Sequence, residues 1–138
     1  MRYIVTGGAG FVGSNLVKLL VKEGHDVLVI DNLVKGKKEN LSEVLENIEF
    51  INSDIRNYND IEGYFRNVDG VFHQAALTVV QDSFKNPQEY HDVNVVGTEN
   101  VFKLAKKYDV KVVYASSSSV YGHQNIMPIK ENAIREPI

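Results

Sequence analysis

Apolar residues along this chain fall into two alternating kinds of run. Short, nearly continuous β-rich stretches recur: Arg2 to Thr6 (RYIVT), Asp26 to Ile30 (DVLVI), Ile48 to Asn52 (IEFIN), Asp69 to His73 (DGVFH) and Lys111 to Ala115 (KVVYA). Between them, apolar residues return every three to four positions, the period of a helix with one buried face. Phe11 to Glu23 puts Val12, Leu16, Leu19 and Leu20 on one predicted face, and Gly24 marks the C-terminal end. A polar loop, 32–40, leads into a short helix predicted near Leu41 to Leu45. Asn57 to Arg66 reads as a helix, with Asn57 and Asp60 at N-cap and N3 spacing. Asn86-Pro87-Gln88-Glu89 has the N-cap, N1 and N3 chemistry of a helix start. Tyr90, Val93, Gly97, Val101, Leu104 and Tyr108 then recur on about one face of a long helix.

Strands that alternate with helices and are apolar throughout imply a parallel sheet covered on both faces. Right-handed crossovers make this a doubly wound α/β domain, a Rossmann fold with strand order 3-2-1-4-5. The length, 138 residues, suits one domain.

Composition narrows the class. With 43% hydrophobic and 24% charged residues the chain is an ordinary globular one. A net charge of −3 argues against a nucleic-acid partner, because phosphate binding needs a basic face. No apolar stretch approaches the roughly 18 residues of a membrane span, so no membrane partner is expected. The absence of cysteine excludes disulfides and thiolate metal sites and makes the cytoplasm the default location. Histidines stand at 25, 73, 91 and 123 without helical HxxxH pairing, so no metal site is expected. His73 reads as a packed strand-end residue.

The chemistry begins at Thr6-Gly7-Gly8-Ala9-Gly10-Phe11-Val12-Gly13, which follows the first strand and opens the first helix. It satisfies GxGxxG at 8, 10 and 13 and GxxGxxG at 7, 10 and 13. Glycines at such a turn let backbone approach a pyrophosphate, and the helix N-terminus offers unpaired N–H groups and a positive dipole end. The alternative is a plain glycine-rich turn. Asp31 ends the second strand, 18 residues after Gly13, near the spacing of an acid that binds the adenosine ribose. A carboxylate there accepts both ribose hydroxyls and repels a 2′-phosphate, which favours NAD over NADP. Asp31 as a turn residue is the competing reading. Lys35, Lys37 and Lys38 read as a solvated loop.

In order, TGGAGFVG, Asp31-Asn32-Leu33, Asp54-Ile55, His73-Gln74-Ala75-Ala76, Asn94 to Asn100 (NVVGTEN) and Ser116 to Gly122 (SSSSVYG) resemble the motifs of extended short-chain dehydrogenases/reductases. The resemblance is nearest to NAD-dependent nucleotide-sugar epimerases and dehydratases of the UDP-glucose 4-epimerase-like kind, and it covers the whole chain. It implies that Gly7, Gly10 and Gly13 form the pyrophosphate turn, with Phe11 and Val12 supplying backbone N–H groups. It implies that Asp31 and Asn32 hold the adenosine ribose, that Asp54 meets the adenine amino group, and that Ile55 lies against the ring. Ala75, Ala76 and Leu77 would line the cofactor near the nicotinamide ribose. Asn94 would support a catalytic lysine through a local helix distortion. Ser117, five residues before Gly122, would hydrogen-bond a reacting sugar hydroxyl. Ser118 and Ser119 stand where dehydratases carry Asp-Glu, which argues against a 4,6-dehydratase.

The resemblance also implies a YxxxK pair, in which tyrosine is the general base and lysine lowers its pKa. No such pair follows Tyr121-Gly122, and the sequence ends at Glu136-Pro137-Ile138. The chain therefore reads as the amino-terminal part of such an enzyme: an NAD-binding domain, 1–138, ending before that motif and a substrate domain. It is expected to bind NAD without turnover, to leave one sheet face under-covered, and, with its missing part, to epimerise a UDP-hexose at C4 as a homodimer. A non-catalytic dinucleotide-binding module and a reductase or dehydratase of the same family remain the alternatives.

Overall fold

A computed structural model describes residues 1–137; Ile138, the last residue of the expected domain, lies outside the described residues. Five strands, β1 (Arg2–Thr6), β2 (Asp26–Asp31), β3 (Ile48–Asn52), β4 (Gly70–His73) and β5 (Lys111–Tyr114), form one sheet in the order β3-β2-β1-β4-β5. All four pairings are parallel. At the centre, Ile4 lies opposite Leu28 on one side and Val71 on the other. The expected fold and strand order are those observed, with boundaries moved by a residue: β2 runs on to Asp31, β4 starts at Gly70 and β5 stops at Tyr114.

The continuous apolar strands feed two cores because successive side chains leave opposite faces. Ile4, Leu28, Ile30 and Val71 pack with Ile55, Ile61, Phe65, Val101 and Leu104. Val5, Val27 and Val29 pack with Ala9, Val17, Leu20, Leu41 and Val44. The first core is roofed by α2 (Tyr58–Glu62) and α5 (Thr98–Lys107), the second by α1 (Phe11–Lys22).

Helix α1 buries part of the face expected: Leu20 is buried and Leu16 packs against the second core, while Val12 and Leu19 turn outward. Its buried positions are Gly13, Ser14, Val17 and Leu20, while Val12 and Leu19 are 60% and 53% exposed. A Cβ at Gly13 would overlap the Gly7 carbonyl oxygen and lie 2.8 Å from Gly8 Cα. The helix thus docks backbone to backbone at Gly13, and helical spacing then carries Val17 and Leu20 into the core. Val12 and Leu19 turn outward because the glycine contact comes first.

The helix expected from Asn57 exists as α2 followed by a 3-10 turn, Gly63–Phe65, without a side-chain cap from Asn57. Two 3-10 turns, Lys38–Leu41 and Leu45–Asn47, replace the short helix expected at 41–45. The long helix is continuous but not uniform: α4 (Pro87–His91), a π-helical turn (Asp92–Gly97), then α5. Its expected face is the buried one at Val93, Gly97, Val101 and Leu104. Helix α3 (Val80–Lys85) was not anticipated; it buries no residue, so it leaves no apolar period to read. The edge strand β5 has Val113 and Tyr114 exposed, and Phe102 of α5 beside it, the open sheet face that was expected.

His73 closes β4 as a packed residue, only 1% exposed. Its Nδ1 lies 2.6 Å from Thr6 Oγ1 and its Nε2 2.9 Å from Thr98 Oγ1. A neutral imidazole, with one donor and one acceptor nitrogen, satisfies both hydroxyls. The ring stacks on Tyr114 and meets Phe102 edge-on. Burial lowers its pKa from 6.5 to about 4. The unfolded chain therefore binds a proton on His73 that the folded chain refuses between these values, so stability from this group falls as pH drops from 6.5 toward 4 and is flat above. We expect a loss on the order of 2 kcal/mol between pH 7 and 4.5. Urea unfolding at both pH values, compared with His73→Asn, measures it; an equal pH slope in the variant contradicts the assignment.

Candidate functional site

The carboxyl ends of β1, β2, β3 and β4 open into a solvent-exposed cleft. It sits where the strand order reverses, with β2 on one side of β1 and β4 on the other, the place where open α/β sheets leave a crevice. Its walls come from four loops: Gly7 and Gly10 after β1, Asp31 and Asn32 at the end of β2, Ser53 to Arg56 after β3, and Gln74 to Leu77 after β4.

The glycine turn is tight for reasons its neighbours dictate. Gly7 has φ +68°, and a Cβ there would sit 2.7 Å from the Ala75 amide nitrogen. Gly10 is the N-cap residue of α1, and its carbonyl accepts the first helical bond, from Ser14 N–H at 3.0 Å. Phe11, Val12 and Gly13 follow as the first residues of the helix, whose N–H groups have no intrahelical acceptor. The Phe11 and Val12 side chains point to solvent, which leaves backbone at the helix mouth. A turn with no room for a side chain at Gly7 or Gly13, leading into the unpaired amides of a helix start, fits a diphosphate.

Asp31 is 7% exposed and bonded on both oxygens. Oδ2 accepts from Ala9 N–H at 2.9 Å, and Oδ1 from Leu33 N–H at 2.8 Å. One carboxylate therefore stitches the glycine turn to β2 while it lines the cleft. Asn32 accepts from Val34 N–H and donates through Nδ2 to Asp54 Oδ2 at 2.8 Å. Asp54 also accepts from Arg56, through its backbone N–H, Nε and Nη2 at 2.8–2.9 Å. The Arg56 guanidinium lowers the Asp54 pKa from 3.8 to about 2, against the opposing effect of burial. Ile55 faces the cleft and the core together, packed where a Cβ on Gly97 would meet it at 2.7 Å.

Across the cleft, Thr6 Oγ1 accepts from Ala75 N–H at 3.3 Å. The Asn94 amide holds Leu77 at both ends: Oδ1 accepts from Leu77 N–H at 2.8 Å and Nδ2 donates to the Leu77 carbonyl at 2.9 Å. This is the pairing a neighbouring strand would make, supplied by a side chain. Asn94 lies in the π-helical turn, so the helix is distorted where that was expected, but its amide is committed to Leu77. Neither Asn94 nor Phe11, Val12 and Gly13 lines the cleft wall directly.

Ser117 lies beyond β5, outside the cleft walls. It is the N-cap of the 3-10 turn Ser118–Tyr121, and its Oγ accepts from Ser119 N–H at 3.2 Å. The serine run is a capped turn and not a spacer. Among the described residues no group of three or more His, Asp or Glu could hold a metal. No helix there is long and apolar enough to cross a membrane.

Three cleft residues escaped the sequence. Gly36 approaches so closely that a Cβ would lie 2.9 Å from Asp31 Oδ1 and from Ala9 Cβ; its place between lysines was the one available signal. Lys35 borders the cleft with an exposed side chain 3.9 Å from Asp82 Oδ2, in keeping with a solvated loop. Arg56, two residues after Asp54, gave no sequence signal beyond that adjacency.

The model of the family described as NAD dependent epimerase/dehydratase matches residues 3–138. A Methanocaldococcus jannaschii protein assigned as a UDP-glucose 4-epimerase is 43% identical over 98% of this chain and 44% of its own length. A UDP-N-acetyl-alpha-D-glucosaminuronate decarboxylase of Bacillus cytotoxicus is 40% identical over 88% of this chain and 38% of its own length. The UDP-glucose-4-epimerase of Stenotrophomonas maltophila, solved with NAD and formylated UDP-arabinopyranose, superposes with a TM-score of 0.90 at 31% identity, over 98% of this chain and 42% of that one. The chain spans less than half the length of these relatives. With this match over nearly its whole length, the chain belongs to the NAD-dependent epimerase/dehydratase family.

Proposed function

We propose that this chain is the NAD-binding part of a nucleotide-sugar 4-epimerase acting on a UDP-hexose. The observation that carries the proposal is the buried Asp31 carboxylate at the cleft, fixed to the glycine turn through Ala9. In this reading the α1 amides at Phe11, Val12 and Gly13, above Gly7 and Gly10, take the diphosphate. Each Asp31 oxygen already accepts one amide and keeps one lone-pair site for a ribose hydroxyl. Asn32 completes the ribose contact. Asp54 and Ile55 receive the adenine, and Ala75, Ala76 and Leu77 the ribose at the nicotinamide end. Bound NAD supplies a hydride acceptor that returns the hydride to the sugar.

Asn94 is a positioning residue in this reading, because it sets the backbone of Leu77. Ser117 orients the reacting sugar hydroxyl, which it can do as donor and acceptor. Seryl hydroxyls at 118 and 119 supply no acid for water elimination, which favours epimerisation over 4,6-dehydration. The decarboxylase among the relatives keeps a second reading open: the same cleft serving C4 oxidation ahead of loss of a carboxylate. Product analysis with UDP-glucose and UDP-glucuronate separates the two. A cytoplasmic homodimer is the accompanying expectation, supported by exposed Val95, Val96 and Phe102 on the long helical segment.

Three outcomes test the proposal. Asp31→Ala should weaken NAD binding about ten-fold or more and narrow the preference over NADP, measured by calorimetry; unchanged affinity contradicts the ribose role. Asn94→Asp keeps the acceptor for Leu77 N–H but turns a second oxygen on the Leu77 carbonyl, so NAD affinity should fall several-fold while Asp31-dependent discrimination persists. The 138-residue chain should bind NAD yet leave UDP-galactose unconverted in a coupled assay, since no tyrosine–lysine pair of the YxxxK kind follows Gly122. Measured turnover by a chain of verified mass would sink that expectation.

A further inference from the structure

Asp54 is surrounded by donors. A carboxylate has about four lone-pair positions. Here Oδ1 accepts from the Arg56 backbone N–H and Nε, and Oδ2 from Arg56 Nη2 and Asn32 Nδ2. Arg56 supplies three of the four bonds, and the residues are two apart, so the contact is a local chelate. Asn32 supplies one. A further donor approaching from the cleft displaces the weakest-held partner, and that is Asn32.

We propose that Arg56 is a positioning and specificity-determining residue for the purine end of the cofactor. It holds the Asp54 carboxylate in one orientation and acceptor-only, so that the cleft selects a 6-amino purine over a 6-oxo purine. The inference rests on the reading of the cleft as a dinucleotide site. An exocyclic amino group takes the place of the Asn32 amide on Oδ2, while Arg56 keeps the carboxylate from turning. A 6-oxo group brings a second acceptor to the same oxygen and is repelled. Arg56 lies on the cleft wall itself, so its side chain is at hand for this role. Glu89 of α4 and Asp92 of the π-helical turn act on the guanidinium and favour its charge. Asp31 and Lys35 are the other charged groups on this wall beside Arg56 and Glu89.

The test compares NAD with nicotinamide hypoxanthine dinucleotide by calorimetry, on the 138-residue chain and on Arg56→Met and Arg56→Lys. The unmodified chain should prefer NAD by about ten-fold or more. Arg56→Met should lose most of that preference. Its NAD affinity should also fall as pH drops from 7 to 5, because the half-buried Asp54 carboxyl loses the group that keeps it ionised; the unmodified chain should stay flat over that range. Arg56→Lys, which retains charge but not the fork, should restore the flat pH profile and only part of the preference. A general loss of structure would weaken both dinucleotides equally and leave their ratio unchanged. An equal affinity of the unmodified chain for both dinucleotides, or an undiminished ratio in Arg56→Met, overturns this proposal alone. Failure of the unmodified chain to bind either one overturns the dinucleotide reading and this proposal with it.

Discussion

The closeness of α1 to β1 at Gly13 is the constraint on which the rest of the site depends. There is no room for a side chain between Gly13 and the Gly7 carbonyl. That contact sets which face of α1 is buried, with Leu16 and Leu20 packed inward and Val12 and Leu19 turned out. It also leaves the free amides of the first turn directly after Gly10, which lines the crevice. Further bonds then lock the turn from outside: Asp31 holds the Ala9 N–H, and Lys37 N–H and the Asn40 side chain both donate to the Ala9 carbonyl. Gly36 approaches Ala9 for the same reason. The shape of the glycine turn is therefore a consequence of backbone packing, with the polar groups of two loops closing around it.

The opposite wall is held by a different device. A chain of polar groups runs from Ala75 N–H through Thr6 to His73 and on to Thr98, inside the sheet and helix layers. Beside it the Asn94 amide mimics a strand edge for Leu77. Both devices act on the loop after β4, beyond the Gln74 N–H that donates to the Thr6 carbonyl of β1 at 3.1 Å. The π-helical turn is what brings the Asn94 side chain into register with Leu77, while Val93 and Gly97, on either side of it, stay buried. A uniform α-helix through the same residues would shift that register. Helix irregularity and site geometry are here the same feature.

Much of the architecture was legible because it follows from period and composition. Continuous apolar runs such as DVLVI mean strands buried on both faces, and their alternation with helical stretches leaves few topologies. The glycine spacing and Asp31 were legible because their chemistry depends on neighbours close in sequence. Less visible were features that arise from residues far apart. The Asn94–Leu77 pair joins segments 17 residues apart, and the Thr6–His73 contact spans 67. The caps expected from Asn57 and Asn86 do not form, since those side chains make no bond to the helix starts that follow them. Helix α3 buries nothing and so has no pattern.

The sequence by itself determined the doubly wound sheet, its strand order, the glycine turn and the acid beside it, since each rests on local period or on spacing within one βαβ unit. Tertiary structure alone decided which side chains share a wall. Asn32 donating to Asp54, Asn94 completing the loop after β4, and Gly36 pressed against Ala9 are contacts between segments that the folded sheet brings to one edge. Their partners are chosen by distances in space, for which the linear order of residues carries no signal.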